Sequence, residues 1–217
     1  VVLIVSGFVF TFISFYKTSL WEIPLSKRIL TALFESVTLR TAGFETIPQT
    51  SFTSSASLFH LILMFIGGSP GSIAGGVKTT TAFITLLYLL DGNEQRTTVS
   101  FANRRIPSTI INKSITIVSR SVLILLISAI SLSYVENHLI SNGTISLIDI
   151  IYESVSALAT VGLSRSLTPQ LSCLGKLIII ITMYIGRTGI YAMSIKSGFT
   201  GSDNEDLIYP EESLLVG

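Results

Sequence analysis

Charge is scarce in this 217-residue chain. Only 12% of its residues are Asp, Glu, Lys or Arg, against roughly 25% in soluble globular proteins. The formal net charge is +1, so neither a basic nor an acidic excess points to nucleic acid or to an acidic substrate. Cys173 is the single cysteine, which excludes an internal disulfide framework and a cysteine metal cluster. His60 and His138 lie far apart and suggest no metal site. Residues 1–16 carry no charge, and so lack the basic region of a signal peptide, as they lack its small-residue cleavage site. No Met begins the chain. Residues 1–16 are therefore expected to lie within a membrane helix whose beginning is missing, the chain being a piece of a longer protein.

Apolar sequence takes the place of charge, at 48% of residues with a mean hydropathy of +0.68. The long apolar runs are 1–16, 58–66, 79–90, 115–135 and 174–196. A bilayer core takes about 20 helical residues. The last two runs reach that length, the final one with Arg187 inside it. Runs 58–66 and 79–90 are each too short, and joined they make one span interrupted at 67–78, which predicts a broken helix. From Asp91 to Arg120 the chain carries Arg96, Arg104, Arg105 and Lys113 as well as Arg120, against only Asp91 and Glu94. Lys and Arg collect in cytoplasmic loops, which places this connection inside. Phe101 is the one aromatic residue among these arginines, too little for a base-stacking surface, so topology is the better reading than nucleic acid. The acidic tail with Asp203, Glu205, Asp206, Glu211 and Glu212 emerges on the same side as a solvated terminus. The expected organisation is a unit over 1–90, a connection over 91–114, a second unit over 115–197 and the tail over 198–217.

The two units repeat one pattern. Residues 39–44 (Leu-Arg-Thr-Ala-Gly-Phe) match 158–163 (Leu-Ala-Thr-Val-Gly-Leu) as L-x-T-x-G-(F/L). Glu-Ser-Val precedes each, at 35–37 and 153–155, with one residue of slippage. Met-Phe-Ile-Gly at 64–67 matches Met-Tyr-Ile-Gly at 183–186, at the same offset of about 119 residues. Each L-x-T-x-G follows a segment, 28–39 or 146–158, that is helical in pattern but too short to span. With the basic connection inside, both segments dip in from the outer side and return. Non-helical backbone at membrane depth survives only where protein buries it or it lines a water-filled cavity. Gly permits the backbone angles that aim successive carbonyls at one axis, and carbonyl rings replace the hydration shell of a cation. The string Thr160-Val161-Gly162 resembles the start of the potassium-channel loop T-V-G-Y-G. Singly, Gly43 and Gly162 would fit helix C-caps or packing glycines; paired in register after half-length helices, they predict pore loops. The candidate ion-binding residues are Thr41, Ala42, Gly43, Phe44, Thr160, Val161, Gly162 and Leu163.

Residues 67–78 hold five glycines and Pro70, and the proline alone costs a helix about 3 kcal/mol. The break is expected near the bilayer centre, directly below the first pore loop, where a flexible segment can obstruct or open a path. Gly67, Gly68, Ser69, Pro70, Gly71, Ser72, Gly75, Gly76 and Lys78 are thus gate candidates. A phosphate loop is excluded here, because Val77 separates Gly76 from Lys78 and no strand precedes the run. Arg187 falls about halfway along its helix, at a depth where ionisable groups are functional candidates. It fits a partner for carbonyls freed by the broken helix and equally an electrostatic barrier. Lys78 fits a snorkelling side chain as well as a gating one. Glu35 and Glu153 fit either hydrogen bonding near the loops or a role within the short helices. Asn142-Gly143-Thr144 matches a glycosylation sequon on the outer side, an incidental match.

Assembled, these residues resemble the Trk/Ktr/HKT superfamily of K⁺ transporters, its KtrB/TrkH pore subunit most of all. The strings that carry the resemblance are Ser-Val-Thr-Leu-Arg-Thr-Ala-Gly-Phe at 36–44, the run 65–81, Thr-Val-Gly-Leu-Ser at 160–164, and Gly186-Arg187. The resemblance implies an all-α membrane protein of four helix–pore loop–helix units around one pathway, of which this chain resembles the third and fourth. It implies Gly43 and Gly162 as filter glycines, 67–78 as an intramembrane gating loop and Arg187 below the filter. It also implies the remaining pore repeats, a homodimer and a cytoplasmic nucleotide-binding regulatory subunit as partners. Gly189 is followed by Ile190 where family members read Gly-Pro, and Ser166 stands where they carry Gly before Leu-Thr-Pro. The expected function is K⁺ uptake by a non-enzymatic, multi-pass plasma-membrane protein without a bound cofactor. The alternatives are a Na⁺-permeable or Na⁺-coupled transporter, and a subunit associated with a Na⁺-translocating V-type ATPase.

Overall fold

The computed structural model describes residues 1–16, 18, 24–91, 99–101 and 104–188. The structure is mainly helical, in the order α1 (Val2–Ser14), α2 (Leu25–Thr38), α3 (Ser54–Phe65), α4 (Thr79–Asp91), β1 (Val99–Phe101), β2 (Arg104–Ile106), α5 (Ser108–Val135), α6 (Asn137–Ser141), α7 (Leu147–Leu158) and α8 (Cys173–Thr188).

The break expected at 67–78 is present, between α3 and α4. Thr53 caps the start of α3, its hydroxyl accepting from the Ala56 N–H at 3.3 Å. After Phe65 the chain loops out and returns, and Ile66 pairs with Val77 in a parallel bridge. A parallel return means that α4 resumes the direction in which α3 ended. Each piece is short, 12 and 13 residues, or about 18–20 Å at 1.5 Å per residue.

Two elements depart from expectation. The connection contains an antiparallel hairpin, β1 with β2, within an otherwise helical fold. Helix α5 starts at Ser108, seven residues before its apolar run, because Pro107 ends the hairpin and opens the helix. With 28 residues it is the one described helix long and apolar enough to cross a membrane. Its cover decides what that means. Only 17% of its most apolar window is buried, whereas the core helix of a soluble protein would be enclosed, so α5 is built to face an apolar medium. Helix α8 covers 16 residues. The rest of its apolar run, with Gly189 and Ile190, lies outside the described residues, as do Arg96 and the acidic tail.

Each half of the chain has its own core. Phe15, Ala32, Ile47 and Phe52 pack in the first, and Leu132, Ile150, Leu167 and Ile179 in the second. A third cluster joins them, drawing Leu39, Leu63 and Met64 from the first half and Tyr152, Val161 and Leu163 from the second. Both L-x-T-x-G segments therefore contribute to one shared core, the first through Leu39 and the second through Val161 and Leu163.

Helix α1 closes the first half by lying directly on α2. The Ser36 hydroxyl donates to the Ile4 carbonyl at 2.6 Å, and a side chain at Gly7 would run into Ser36 and Leu63. Small residues permit such close approach between membrane helices. Gly7→Val in the full-length protein should therefore cost about 1–3 kcal/mol of overpacking. A thermal unfolding midpoint in detergent unchanged from the parent would refute this contact.

Candidate functional site

Helices α2 (14 residues) and α7 (12 residues) end in the same local way. At the end of each, the chain enters left-handed backbone at the Thr and again at the Gly of L-x-T-x-G. The φ angles are +65° at Thr41 and +75° at Gly43, and +51° at Thr160 and +95° at Gly162. A β-branched residue in that region is a true outlier, and such positions cost on the order of 1–3 kcal/mol each. The outlier occurs twice, at equivalent positions. Ala42 and Val161, between them, do not share it.

Local hydrogen bonds hold these turns. The Thr38 hydroxyl donates to the Phe44 carbonyl at 2.6 Å and accepts from the Phe44 N–H at 2.8 Å. The Ala42 and Gly43 N–H groups return to the Thr38 carbonyl, and that of Val161 to the Ser156 carbonyl. The loops also touch. A Cβ on Gly43 would strike the Val161 carbonyl, and one on Gly162 would stand 3.9 Å from the Gly43 Cα. Equivalent positions are covered differently, Phe44 being 70% exposed and Leu163 buried.

The glycine-rich segment, expected against the first loop, touches both. Gly75 has no room for a side chain because the Ala159 carbonyl and the Thr160 hydroxyl of the second loop stand there. The Arg40 guanidinium of the first loop donates to the Gly67 carbonyl. Inside the segment, Gly67 N–H donates to the Val77 carbonyl at 2.9 Å, and Thr79 N–H to the Gly68 carbonyl at 3.1 Å. Ser72 bonds back to the Ser69 carbonyl through backbone and side chain, closing an exposed turn over Pro70 and Gly71. Gly71 and Gly76 take φ of +81° and +67°. The Lys78 ammonium folds back onto its own segment, to the carbonyls of Ser72 at 3.0 Å and Ala74 at 2.5 Å. Arg187 reaches the Ile73 carbonyl at 3.0 Å. Three cationic side chains thus serve carbonyls that the helix break sets free.

Glu35 and Glu153, left open by the sequence, both hold the outgoing chain. Glu35 accepts from the Gln49 amide at 2.8 Å. Glu153 accepts from the Ser164 hydroxyl at 2.8 Å and from that of Thr168. Sequence reasoning missed Arg40, Gln49, Tyr152 and Arg165. Arg40 occupies a variable position of the motif, yet the rule that singled out Arg187 applies to it equally. Among the described residues no group of His, Cys, Asp and Glu is placed to hold a metal.

The family model for TrkH, described as a cation transport protein, matches residues 1–203. The chain belongs to the TrkH family. It is 33% identical over 196 residues to the potassium/sodium uptake protein NtpJ of Enterococcus hirae, a match covering 88% of this chain and 42% of that one. It is 32% identical over 186 residues to the Ktr system potassium uptake protein D of Bacillus subtilis, covering 86% and 40%. Among solved structures, the potassium transporter TrkH from Vibrio parahaemolyticus shares the fold with a TM-score of 0.71 at 19% identity, covering 92% of this chain and 43% of that one. The TrkH-family chain therefore spans about two fifths of the length of these relatives.

The contact between the glycine-rich segment and the second loop is open to test. Gly75→Ala in the full-length protein should force the two apart at about 1–3 kcal/mol, lowering the unfolding midpoint by several degrees. Gly71→Ala removes a residue with open space around it and a positive φ, and should cost only the strain of that angle, on the order of 1 kcal/mol. Equal losses in the two variants would contradict the packing at Gly75.

Proposed function

We propose that this chain forms two of four pore units of a membrane K⁺ uptake protein. The observation that carries the reading is the twin backbone signature at Thr41/Gly43 and Thr160/Gly162. Backbone of this kind can aim successive carbonyls at one axis, which is what a dehydrated cation requires in place of its hydration shell. In this reading the carbonyls around Thr41, Ala42, Gly43 and Phe44 and around Thr160, Val161, Gly162 and Leu163 form half of a selectivity filter. The rest of the ring comes from the remaining repeats of the full chain. The protein moves ions and carries out no covalent chemistry.

The segment 67–78 acts as the gate. It presses on the second loop through Gly75, is tied to the rest of the chain by Arg40 and Arg187, and is braced from within by Lys78. Opening requires these carbonyl contacts to be exchanged, and hydrogen bonds to charged groups are worth about 1.5–3 kcal/mol each. That is enough to hold a closed state without locking it. Arg187 also places positive charge under the loops, an electrostatic barrier to a cation on the same path. A multi-pass plasma-membrane location, a homodimer and a cytoplasmic nucleotide-binding regulatory subunit complete the proposal; the "Ktr system" in a relative's name supports a partner subunit.

A second reading has its own support, since the relative from Enterococcus hirae is named for potassium and sodium. Na⁺ permeation or coupling would use the same loops. Association with a Na⁺-translocating ATPase is separable from both, because uptake into liposomes by the full chain without ATP removes any need for it.

Gly43→Ser adds a side chain where the Val161 carbonyl stands and should relax K⁺/Na⁺ discrimination in the full protein. Unaltered permeability ratios would remove the filter assignment. Arg187→Gln frees the Ile73 carbonyl and removes a charge from the path. Uptake velocity should rise several-fold, in keeping with the loss of about 1–2 kcal/mol of tether; an unchanged velocity at equal surface expression would remove Arg187 from the gate.

A further inference from the structure

Behind the two loops, polar side chains from both halves of the chain meet in one buried network. Gln49, 1% exposed, engages its amide and its backbone fully. Its Nε2 donates to Glu35 at 2.8 Å, and its Oε1 accepts from the Tyr152 hydroxyl at 2.8 Å. Its N–H donates to the Glu45 carboxylate at 3.0 Å, and its carbonyl accepts from Arg165 at 2.8 Å. Arg165 also donates to the Ser57 hydroxyl at 2.7 Å and pairs through Nε with Asp149 at 2.6 Å. Its guanidinium carbon lies 6.0 Å from the centre of the Tyr152 ring, within cation–π range.

Glu35 and Tyr152 are themselves fully buried. Glu35 stands one turn before the first loop on α2, and its backbone carbonyl receives the Leu39 N–H. Tyr152, on α7, shares a core with Leu39 and Val161. The bonds therefore run unbroken from one short helix to the other, through a residue that belongs to neither. In the second half of the chain the corresponding arrangement stays local, Glu153 holding Ser164 and Thr168. Of the equivalent residues Gln49 and Thr168, Gln49 has the longer side chain, which holds the carboxylate of its own half and still reaches across.

We propose that Glu35, Gln49, Tyr152 and Arg165 form a clamp that fixes the two loops relative to each other and so sets ion discrimination. They are positioning residues, acting on the ion through the backbone of the loops. A carbonyl ring selects by the number and spacing of its dipoles, and a buried amide held by a donor on one side and a carboxylate on the other has one orientation. The inference rests on the filter reading above.

The test uses the full-length protein in cells lacking their own K⁺ uptake, reading Rb⁺ uptake in competition with K⁺ and with Na⁺, alongside membrane abundance. Tyr152→Phe removes one hydroxyl and should reduce K⁺ over Na⁺ discrimination about fivefold at normal abundance, the equivalent of one hydrogen bond. Gln49→Glu sets two carboxylates against each other and should reduce it at least as far. Combining Gln49→Glu with Glu35→Gln restores a donor–acceptor pair in reverse and should recover most of the discrimination. Normal discrimination in Tyr152→Phe and Gln49→Glu, both reaching the membrane, would overturn the clamp. If either is lost from the membrane, Arg165→Lys decides, because Lys keeps the charge but cannot bridge Asp149, Gln49 and Ser57 together; an unchanged ratio there would overturn it as well. Gly43→Ser in the same assay separates the two ideas. If it leaves the ratio unmoved the filter reading fails, whereas a shifted ratio in Gly43→Ser with normal clamp variants removes the clamp alone.

Discussion

A backbone that leaves the helix inside an apolar medium must find new partners for its carbonyls, and most of what is distinctive in this chain answers that demand. The break between α3 and α4 frees carbonyls at Gly67, Ser72, Ile73 and Ala74. Each is met by a cationic side chain: Arg40 from the first loop, Lys78 from the start of α4, Arg187 from α8. Charged donors make the stronger hydrogen bonds, and a positive charge held there is itself stabilised by carbonyl dipoles. The cations and the break thus need one another. A helix in place of residues 67–78 would leave the arginines without partners, and neutral side chains would leave the loop open.

The second constraint is room. Four chain segments converge where the two L-x-T-x-G loops, the glycine-rich segment and α8 meet, and side chains are excluded at the contacts. Gly43 faces the Val161 carbonyl, Gly75 faces Ala159 and Thr160, and Gly186 faces the Leu158 carbonyl. Backbone is therefore packed on backbone. At Gly43 the same residue also supplies a positive φ, so one glycine meets a steric and a conformational demand at once.

The readable parts were those with a local or repeated signature. The helix break follows from glycine and proline density, and the paired loops from strings recurring at one offset. The hairpin β1–β2 was not legible, since three-residue strands carry no period long enough to detect. Arg40 was hidden inside a motif, at a position that the repeat treats as variable. Gln49, Tyr152 and Arg165 were hidden by distance. Tyr152 meets a residue 103 positions away and Arg165 one 116 away, and nothing in either neighbourhood announces its partner. Positive φ at Thr41 and Thr160 also ran against expectation, because only the glycines of the motif advertise it.

The slip of one residue between the two Glu-Ser-Val strings has a physical explanation in the hydrogen bonds. Gln49 and Thr168 occupy equivalent places at the offset that relates the loops, but Glu35 and Glu153 do not. Both carboxylates nonetheless catch those equivalent residues. Gln49 presents its amide from a longer side chain than the Thr168 hydroxyl, so the carboxylate that meets it can stand elsewhere on its helix. The position strictly equivalent to Glu35 is Ser154, buried and with its hydroxyl unpartnered, which is what remains when the carboxylate has moved one place along. What the two halves share here is the bond that ties a short helix to the chain leaving its loop. The residue that supplies the bond has shifted, and in the first half the longer side chain has room to extend the tie across to the second.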